Sequence, residues 1–418
     1  MKKSSRSDAA LLWDESFLWG LMAYRALRNN GLPFRLLRGV DIREGRLEGY
    51  SLLFVPGGWA SQKMMALGDK GAEEIRKFVG KGGNYLGICG GAGLATKDGM
   101  GLLDISRKPT KERVPSFNGR IGLSTTEHSI WKPLLEMPKA PPAFHAWWPS
   151  QFLVKDPGIE VLARYGDALP DSFSSDVNVG DTNAGGNWAE LENRYGINLD
   201  PARLKNEPAV VEGSFGEGRV LLSLIHFDTP DDQNGALVLK NLWHHFGVDA
   251  TQHDMKGRVG KQTGRGSGLI AELEQAAADL IDLGTRNFLW FRRDSMLLQW
   301  RRGVRGMEYC TLYQMVKELC QRRRESDARQ GSASERDFLE IKEMLLPFTE
   351  KATRLLVLER YAMQDGQITW NKCDVPEIGQ LRMELFSDSK SYGGLFKKLI
   401  DRIDSHLYSL MIEQEDGY

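Results

Sequence analysis

The sequence has 418 residues, of which 41% are hydrophobic and 27% charged, and its formal net charge is −1. This length is more than one ordinary hydrophobic core accommodates, so we expect two domains. The near-neutral charge argues against duplex nucleic acid or an anionic membrane surface as the partner of the whole chain.

Strand and helix patterns alternate over the first ninety residues. Strands are predicted at 9–13, 32–37, 50–55 and 84–88, and helices at 18–27 and 70–79. Pro56-Gly57-Gly58 follows the third strand, and a glycine-rich stop precedes the fourth. This alternation predicts a flavodoxin-like α/β fold, that is, a doubly wound, mostly parallel sheet with helices on both faces.

The middle of the chain, from about 105 to 210, is richer in Pro, Gly and Asn and weaker in period. We expect it to extend the sheet and to form long loops near a pocket. Residues 208–223 (PAVVEGSFGEGRVLLS) contain two β-prone runs around a glycine-rich turn and predict a hairpin. Residues 234–246 predict the helix that closes this domain.

The composition changes near residue 251. Residues 251–268 are polar, basic and glycine-rich, which is typical of a linker. Helices are then predicted at 269–283, 286–303, 307–324, 335–346, 350–364 and 395–413, with a charged loop at 321–336. We therefore expect an α/β domain over 1–250, a linker over 251–268 and a separate α-helical bundle over 269–418.

The expected compartment follows from the cysteines and the N-terminus. Cys89, Cys310, Cys320 and Cys373 lack the paired spacing of zinc sites or disulfide frameworks, so we expect free thiols in a reducing compartment. The start, MKKSSRSDAALLWDES, is interrupted by acidic residues and does not resemble a signal peptide. No run of about 18 apolar residues occurs. A cytoplasmic protein without a membrane span, metal or cofactor is the expectation.

One cysteine lies in an unusual setting. Residues 84–95 read NYLGICGGAGLA, so Cys89 stands between glycines where a strand passes into a helix. In a nucleophile elbow, glycines allow this sharp turn, which holds the nucleophile in a strained conformation above the sheet. The N–H groups of the following helix favour a thiolate, and the N–H of Gly90 is placed to bind an oxyanion. A small buried hydrophobe at a tight turn is the other interpretation of the same pentapeptide.

Two further segments supply partners for this cysteine. Gly57 and Gly58 follow a predicted strand and would give a second oxyanion donor, although an ordinary loop explains them equally well. The apolar strand in VLLSLIHFDTP ends at His226, and Asp228 follows two residues later. An imidazole at a strand end can accept the thiol proton, and a neighbouring carboxylate can fix its tautomer. A loop histidine without function is the alternative.

The runs FVPGGW, GICGGAGLA and GRVLLSLIHFDTP resemble the class I glutamine amidotransferase-like superfamily, and most closely the N-terminal domain of biotin–protein ligases. The resemblance spans roughly residues 8–248. It implies Cys89 as nucleophile, His226 and Asp228 as the rest of a triad, and Gly57 and Gly58 as oxyanion donors. Two departures argue against glutamine as the substrate. Gly93 stands where the family usually has glutamine, and Asp228 replaces its glutamate.

The sequence therefore predicts a cysteine-dependent hydrolase or amidotransferase-like protein acting on an amide or related carbonyl of a small-molecule or peptide-like substrate. Trp59, Gly93, His145 and Trp147 are candidates for lining the pocket. The first alternative is a catalytically silent ligand-binding or regulatory module, whose helical domain binds a protein partner.

A third interpretation is a cysteine-protease-like or glyoxal-handling enzyme of a related group. In that case Asp14 or Glu15, from an early strand, would serve as the acid near Cys89. The spacing of His226 and Asp228 fits the amidotransferase pattern better. Adjacent His244 and His245 point in different directions on a helix, so we do not expect them to bind one metal together.

Overall fold

The computed structural model describes residues 8–135, 141–248, 268–327, 335–366, 369, 373–388 and 390–416. Contacts divide the chain into two compact units, Met1–Lys256 and Gly257–Tyr418. Residues 251–267 of the predicted linker, and 328–334 of the predicted charged loop, lie outside the described residues. The domain boundaries at 1–250 and 269–418 remain a proposal.

The first unit contains thirteen strands and eight α-helices among its described residues. The strands are β1 Asp8–Leu12, β2 Arg35–Leu37, β3 Tyr50–Val55, β4 Asn84–Ile88, β5 Ile105–Arg107, β6 Phe117–Thr125, β7 Ala143–Trp147, β8 Phe152–Val154, β9 Glu160–Ala168, β10 Phe173–Ser174, β11 Val177–Asn178, β12 Pro208–Phe215 and β13 Gly218–Ser223. The helices are α1 Phe17–Asn29, α2 Gly39–Arg43, α3 Ala60–Gly80, α4 Gly90–Ala95, α5 Lys132–Leu135, α6 Val179–Gly185, α7 Trp188–Tyr195 and α8 Gln233–His245.

One sheet of eleven strands organises this unit, in the order β11-β10-β6-β9-β12-β13-β4-β3-β1-β2, with β7 added to β6. Neighbours from β13 through β4, β3 and β1 to β2 are parallel. The chain moves from β1 outward to β2 and then back past β1 to β3 and β4, which is the doubly wound, flavodoxin-like order. The predicted α/β fold is thereby confirmed. The remaining pairings are antiparallel and come from the middle region.

The central parallel strands are buried because helices cover both faces of such sheets. Leu52 to Val55 in β3 and Leu86 and Ile88 in β4 are fully buried. Their continuous apolar runs, without the alternation of a half-exposed strand, predicted this burial from the sequence. The carboxyl ends of β3, β4 and β13 therefore meet at one edge of a rigid platform, where the chain leaves the sheet as loops.

The second unit is helical, with one hairpin. Its elements are α9 Gly268–Arg286, β14 Trp290–Arg292, β15 Leu298–Trp300, α10 Gly306–Asp327, α11 Glu335–Asp365, α12 Pro376–Phe386 and α13 Gly394–Asp416. The helix predicted at 286–303 is wrong, because this segment forms the antiparallel β14–β15 hairpin. Phe288 has a φ of 56°, which ends helical geometry, and Asp294 Oδ1 accepts hydrogen bonds from the N–H groups of Met296 and Leu297 in the turn.

Two other helix predictions in this unit differ from the structure. The helices predicted at 335–346 and 350–364 are one helix, α11, which continues through Pro347. Helix α12 was not predicted. Its polar first turn gives it little periodicity, although Ile378, Leu385 and Phe386 are buried. No helix among the described residues of either unit is long and apolar enough to cross a membrane.

The loop after β3 and the turn after β4 approach each other closely at glycines. A Cβ on Gly90 would lie 1.9 Å from the carbonyl oxygen of Gly58, a separation that no side chain tolerates. Gly58 also has a φ of 114°, and a Cβ there would lie 2.6 Å from the carbonyl oxygen of Glu15. Glycine is required at both positions for backbone contact and, at Gly58, also for conformation. This contact fixes the distance between the two loops at the sheet edge.

Replacing Gly90 with alanine should destabilise the first unit, because one of the two loops must move. Overpacking of this kind costs about 1–3 kcal/mol of unfolding free energy. The measurement is the midpoint of thermal or urea unfolding followed by tryptophan fluorescence. Gly49→Ala is the matched control, since a Cβ there meets nothing within 4 Å. Equal midpoints for the two variants would contradict the close contact.

Candidate functional site

Cys89 lies at the turn between β4 and α4, at the carboxyl edge of the parallel strands. Its φ of 52° and ψ of −103° are strained for a residue with a side chain. The backbone is held there because Cys89 N–H donates to Ser223 O on β13 at 2.8 Å, while Gly93 N–H donates to Cys89 O at 2.9 Å. The side chain is partly exposed. This is the geometry of a nucleophile elbow, as the glycine spacing predicted.

His226 lies in the loop that follows β13, and three contacts hold it there. Its backbone N–H donates to His145 O on β7 at 2.8 Å. Its ring packs against Trp19 of α1, with centroids 4.9 Å apart. A Cβ on Gly57 would lie 3.2 Å from His226 Cε1, so the loop after β3 also approaches the ring. The imidazole therefore has little freedom to reorient.

Asp228 completes a buried pair with this imidazole. Asp228 Oδ1 lies 2.9 Å from His226 Nδ1, and both side chains are fully buried. The opposite ring nitrogen, Nε2, has no regular hydrogen bond among the described residues, and neither does Asp228 Oδ2. Because Asp228 occupies Nδ1, the ring nitrogen left for the Cys89 thiol is Nε2.

The electrostatics of His226 connect the three side chains. Burial, the largest single effect, lowers its pKa, but the Asp228 carboxylate and then the nearby Cys89 raise it, and the net pKa is about 9. The imidazole is therefore protonated at neutral pH. A buried imidazolium is tolerable only because a carboxylate faces one nitrogen and a thiol the other.

Two backbone N–H groups beside Cys89 are unused. Those of Gly58 and Gly90 donate to no acceptor among the described residues, although the two glycines are in contact. Free N–H groups from two adjoining loops next to a nucleophile are what an oxyanion requires. Helix α4 has only six residues, so the field at Cys89 comes from the N–H groups of its first turn rather than from a long helix.

The four residues predicted to line the pocket are in different environments. Trp59, the residue before α3, is 44% exposed, whereas Trp147 is 1% exposed and donates its indole N–H to Thr229 Oγ1 at 3.0 Å. His145 stacks on Trp147 and its Nδ1 lies 2.8 Å from Asp232 Oδ2. Gly93 lies one helical turn after Cys89. Trp147 and His145 thus support the loop that carries His226.

The acids of the third interpretation lie elsewhere. Asp14 Oδ2 accepts from the N–H of Gly39 at 2.7 Å, at the start of α2, and Asp14 Oδ1 lies 3.7 Å from Arg38 Nε. Glu15 contributes its carbonyl oxygen to the contact with Gly58. Beneath this loop the fully buried Lys63 donates to Asp14 O at 3.3 Å and to Ser16 Oγ. These residues shape the loop beside Gly58.

Two arginines near Cys89 were not predicted from the sequence. Arg107, at the end of β5, places its guanidinium 2.7 Å from where a Cβ on Gly93 would lie. Arg113 is close enough to Cys89 and Arg107 for both to affect its pKa. Neither arginine belongs to a motif, and both come from the weakly periodic middle region, so no sequence signal indicated them. Their location depends on how β5 and β8 fold back over the site.

One other polar cluster has a composition that could bind a metal. His128, Glu212 and His245 offer ligand atoms within 4.8 Å of one another, and two histidines with a glutamate form a known zinc donor set. Glu212 already lies 2.7 Å from His245 Nε2 and 3.6 Å from His128 Nε2. Arg219 Nη1, 3.4 Å from His245 Nε2, adds a cation that opposes a metal there. The cluster is therefore a polar group centred on the hydrogen bond between Glu212 of β12 and His245.

Comparison with known proteins gives a partial family match. Residues 43–99, which include β3, β4 and Cys89, match the family "Biotin-protein ligase, N terminal". This confirms, over that segment, the resemblance predicted from the sequence. A search of curated proteins gives no significant match.

Several solved structures are similar to part of the chain. PurLQS from Thermotoga maritima is 17% identical, covering 57% of this chain and 99% of its own, with a TM-score of 0.38. A glutamine amidotransferase is 20% identical, covering 58% and 99%, with a TM-score of 0.37. A β-galactosidase from Bacillus circulans sp. alkalophilus is 14% identical, covering 59% and 32%, with a TM-score of 0.35. Similarities this low support no inference about function.

Asp228→Asn should lower the pKa of His226, because the carboxylate is the largest influence that raises it while burial still lowers it. We expect a fall from about 9 by more than one unit, measured by NMR titration of the His226 ring. Asp232→Asn, which removes the carboxylate from His145 instead, is the matched control and should leave the His226 titration unchanged.

The same shift predicts the pH dependence of stability. The pKa of His226 is raised from 6.5 to about 9, so its stabilisation is complete below pH 6.5 and is lost as pH rises through 9. The unfolding free energy should fall over this range by on the order of 3 kcal/mol at most. The fall should be smaller in Asp228→Asn. An equal fall in both proteins would contradict the pairing.

Proposed function

We propose that the first unit is a cysteine-dependent hydrolase or amidotransferase-like enzyme that acts on an amide or related carbonyl through Cys89, His226 and Asp228. The observation that carries the proposal is the strained, partly exposed Cys89 beside an imidazole whose far nitrogen is held by a buried carboxylate. A purely structural cysteine needs neither the strain nor the buried pair.

The chemistry assigns one role to each residue. The thiol proton of Cys89 resides on His226 Nε2 before the reaction, and the Cys89 Sγ thiolate forms a bond to the carbonyl carbon, while the N–H groups of Gly58 and Gly90 bind the oxyanion. His226 then gives the proton to the leaving amine as the carbon–nitrogen bond breaks, which leaves a thioester. Water, or an acceptor amine, then loses a proton to His226 and attacks the thioester, and the carbon–sulfur bond breaks to release the Cys89 thiolate beside the protonated imidazole. Asp228 keeps the imidazole oriented throughout.

Glutamine is not assigned as the substrate. A side chain at position 93 would require the Arg107 guanidinium to shift, so Arg107 occupies space that the glutamine usually carried there by the resembled family would need. The proposal therefore names the reaction class and leaves the amide open. A cytoplasmic location, and a protein partner for the second unit, are kept as parts of the same proposal.

Iodoacetamide labelling at pH 7 tests the reactivity of the thiol. We expect Cys89 to react faster than the partly exposed Cys373, because Cys89 lies beside the His226 imidazole. Cys310 and Cys320 should be protected, since burial raises the pKa of each to about 12. Rates at each site are measured by mass spectrometry of the digested full chain.

His226→Gln supplies the matched variant. It should slow labelling of Cys89 by about tenfold or more, in the range of a lost acid–base partner, and leave Cys373 unchanged. Should Cys89 react no faster than Cys373, with or without His226, the silent ligand-binding or regulatory module would be the better interpretation. That alternative draws its support from Gly93 and the shorter acid at Asp228.

A further inference from the structure

Arg107 places an unpaired cation over the first turn of α4. Its Nη1 lies 2.7 Å, and its Cζ 3.2 Å, from the Cβ position of Gly93, four residues after Cys89. Gly93 N–H donates to Cys89 O at 2.9 Å, so the guanidinium lies within one helical turn of the cysteine. Arg107 makes no ion pair or side-chain hydrogen bond with any described residue, although its neighbour Lys108 is paired with Glu207 at 2.7 Å.

Arg113 adds a second cation to the same place. It donates from Nη1 to Ser150 Oγ at 2.6 Å and from Nη2 to Thr110 Oγ1 at 3.3 Å, and both acceptors are neutral. Its Nε is buried and has no partner among the described residues. Burial, followed by the charge of Arg107, lowers its pKa, and the charge of Cys89 raises it. The two guanidinium groups and the sulfur therefore lie within electrostatic range of one another.

The carboxylates of neighbouring residues are already engaged. Asp228 holds His226, Asp232 lies against His145, and Glu207 binds Lys108. Two half-buried arginines without a carboxylate partner are unfavourable unless an anion from outside the chain joins them. The guanidinium fork fits a planar carboxylate with two parallel hydrogen bonds.

We propose that the substrate attacked by Cys89 carries a carboxylate, which Arg107 and Arg113 bind beside α4. This rests on the proposed function, because it names the substrate class of that same site. The charges favour a single negative group. The Cys89 thiolate carries one negative charge, the protonated His226 and Asp228 together carry none, and the two arginines carry two positive charges. The net charge of these groups is therefore +1, which a carboxylate neutralises and a phosphate dianion exceeds. The acyl group would then carry its carboxylate on the Gly93 side of the sulfur.

Two alkylating agents of nearly equal size test this on the full chain. Iodoacetate carries a carboxylate and iodoacetamide does not, and both form a thioether with Cys89 and release iodide. The ratio of the iodoacetate rate to the iodoacetamide rate cancels changes in thiol ionisation. We expect this ratio at Cys89 to be about tenfold higher than the ratio for 2-mercaptoethanol in the same buffer. A tenfold increase is the size of effect expected from one charge-assisted hydrogen bond between an arginine and the iodoacetate carboxylate. It should fall in 0.5 M NaCl.

Arg107→Met and Arg113→Gln should each lower the ratio by about threefold to tenfold. Arg120→Met is the matched control, because Arg120 is exposed and already paired with Asp171, and it should leave the ratio unchanged. Should Arg113→Gln fail to fold, the wild-type ratio and Arg107→Met decide the outcome alone.

The outcomes separate the two proposals. If Cys89 reacts quickly with iodoacetamide but its ratio equals that of the model thiol, or does not respond to Arg107, the carboxylate site is overturned and the cysteine enzyme stands. If Cys89 reacts slowly with both reagents and His226→Gln has no effect, the proposed function is overturned and the carboxylate site with it.

Discussion

The site depends on one close approach of backbone to backbone, between the loop after β3 and the turn after β4. Gly58 and Gly90 touch where any side chain would collide, and this contact holds Cys89 at a φ of 52°. Such strain persists only where the surroundings over-determine it. Here β13 accepts the Cys89 N–H, and the buried Lys63 supports the loop next to Gly58. Central strands of the sheet and the loops that follow them thus fix the position of the Cys89 sulfur.

Two kinds of charged group lie at the same edge of the sheet, a buried ion pair and two arginines. His226 and Asp228 are fully buried and neutralise each other when the imidazole is protonated, so this pair can remain in the core. The arginines are the opposite case. Arg107 and Arg113 lie near Cys89 and have no carboxylate partner among the residues that the structure describes, and the cost of that arrangement is offset when an anion is present.

The sequence predicted those parts of the molecule that depend on local pattern. The buried parallel strands, the 208–223 hairpin and the elbow at Cys89 each follow from apolar runs and glycine spacing, which specify geometry within a few residues. The β14–β15 hairpin was mistaken for a helix because its apolar residues also fit a helical period. The turn at Asp294 and the φ of Phe288 decided otherwise, and neither is visible in hydrophobic periodicity.

Arg107 and Arg113 could not be predicted for a different reason. Each arginine lies near Cys89 because the middle region of the chain folds over the sheet edge. The number of residues between either arginine and Cys89 does not indicate this proximity. Gly93 could be recognised from the sequence, but Arg107 beside it could not. By itself, Gly93 shows only that a short helix lacks a side chain at this position, which argues against glutamine as the substrate. Beside Arg107 it becomes the space that a guanidinium fills. A larger residue at 93 would displace the guanidinium, so Gly93 and Arg107 together determine the shape of the space beside the first turn of α4.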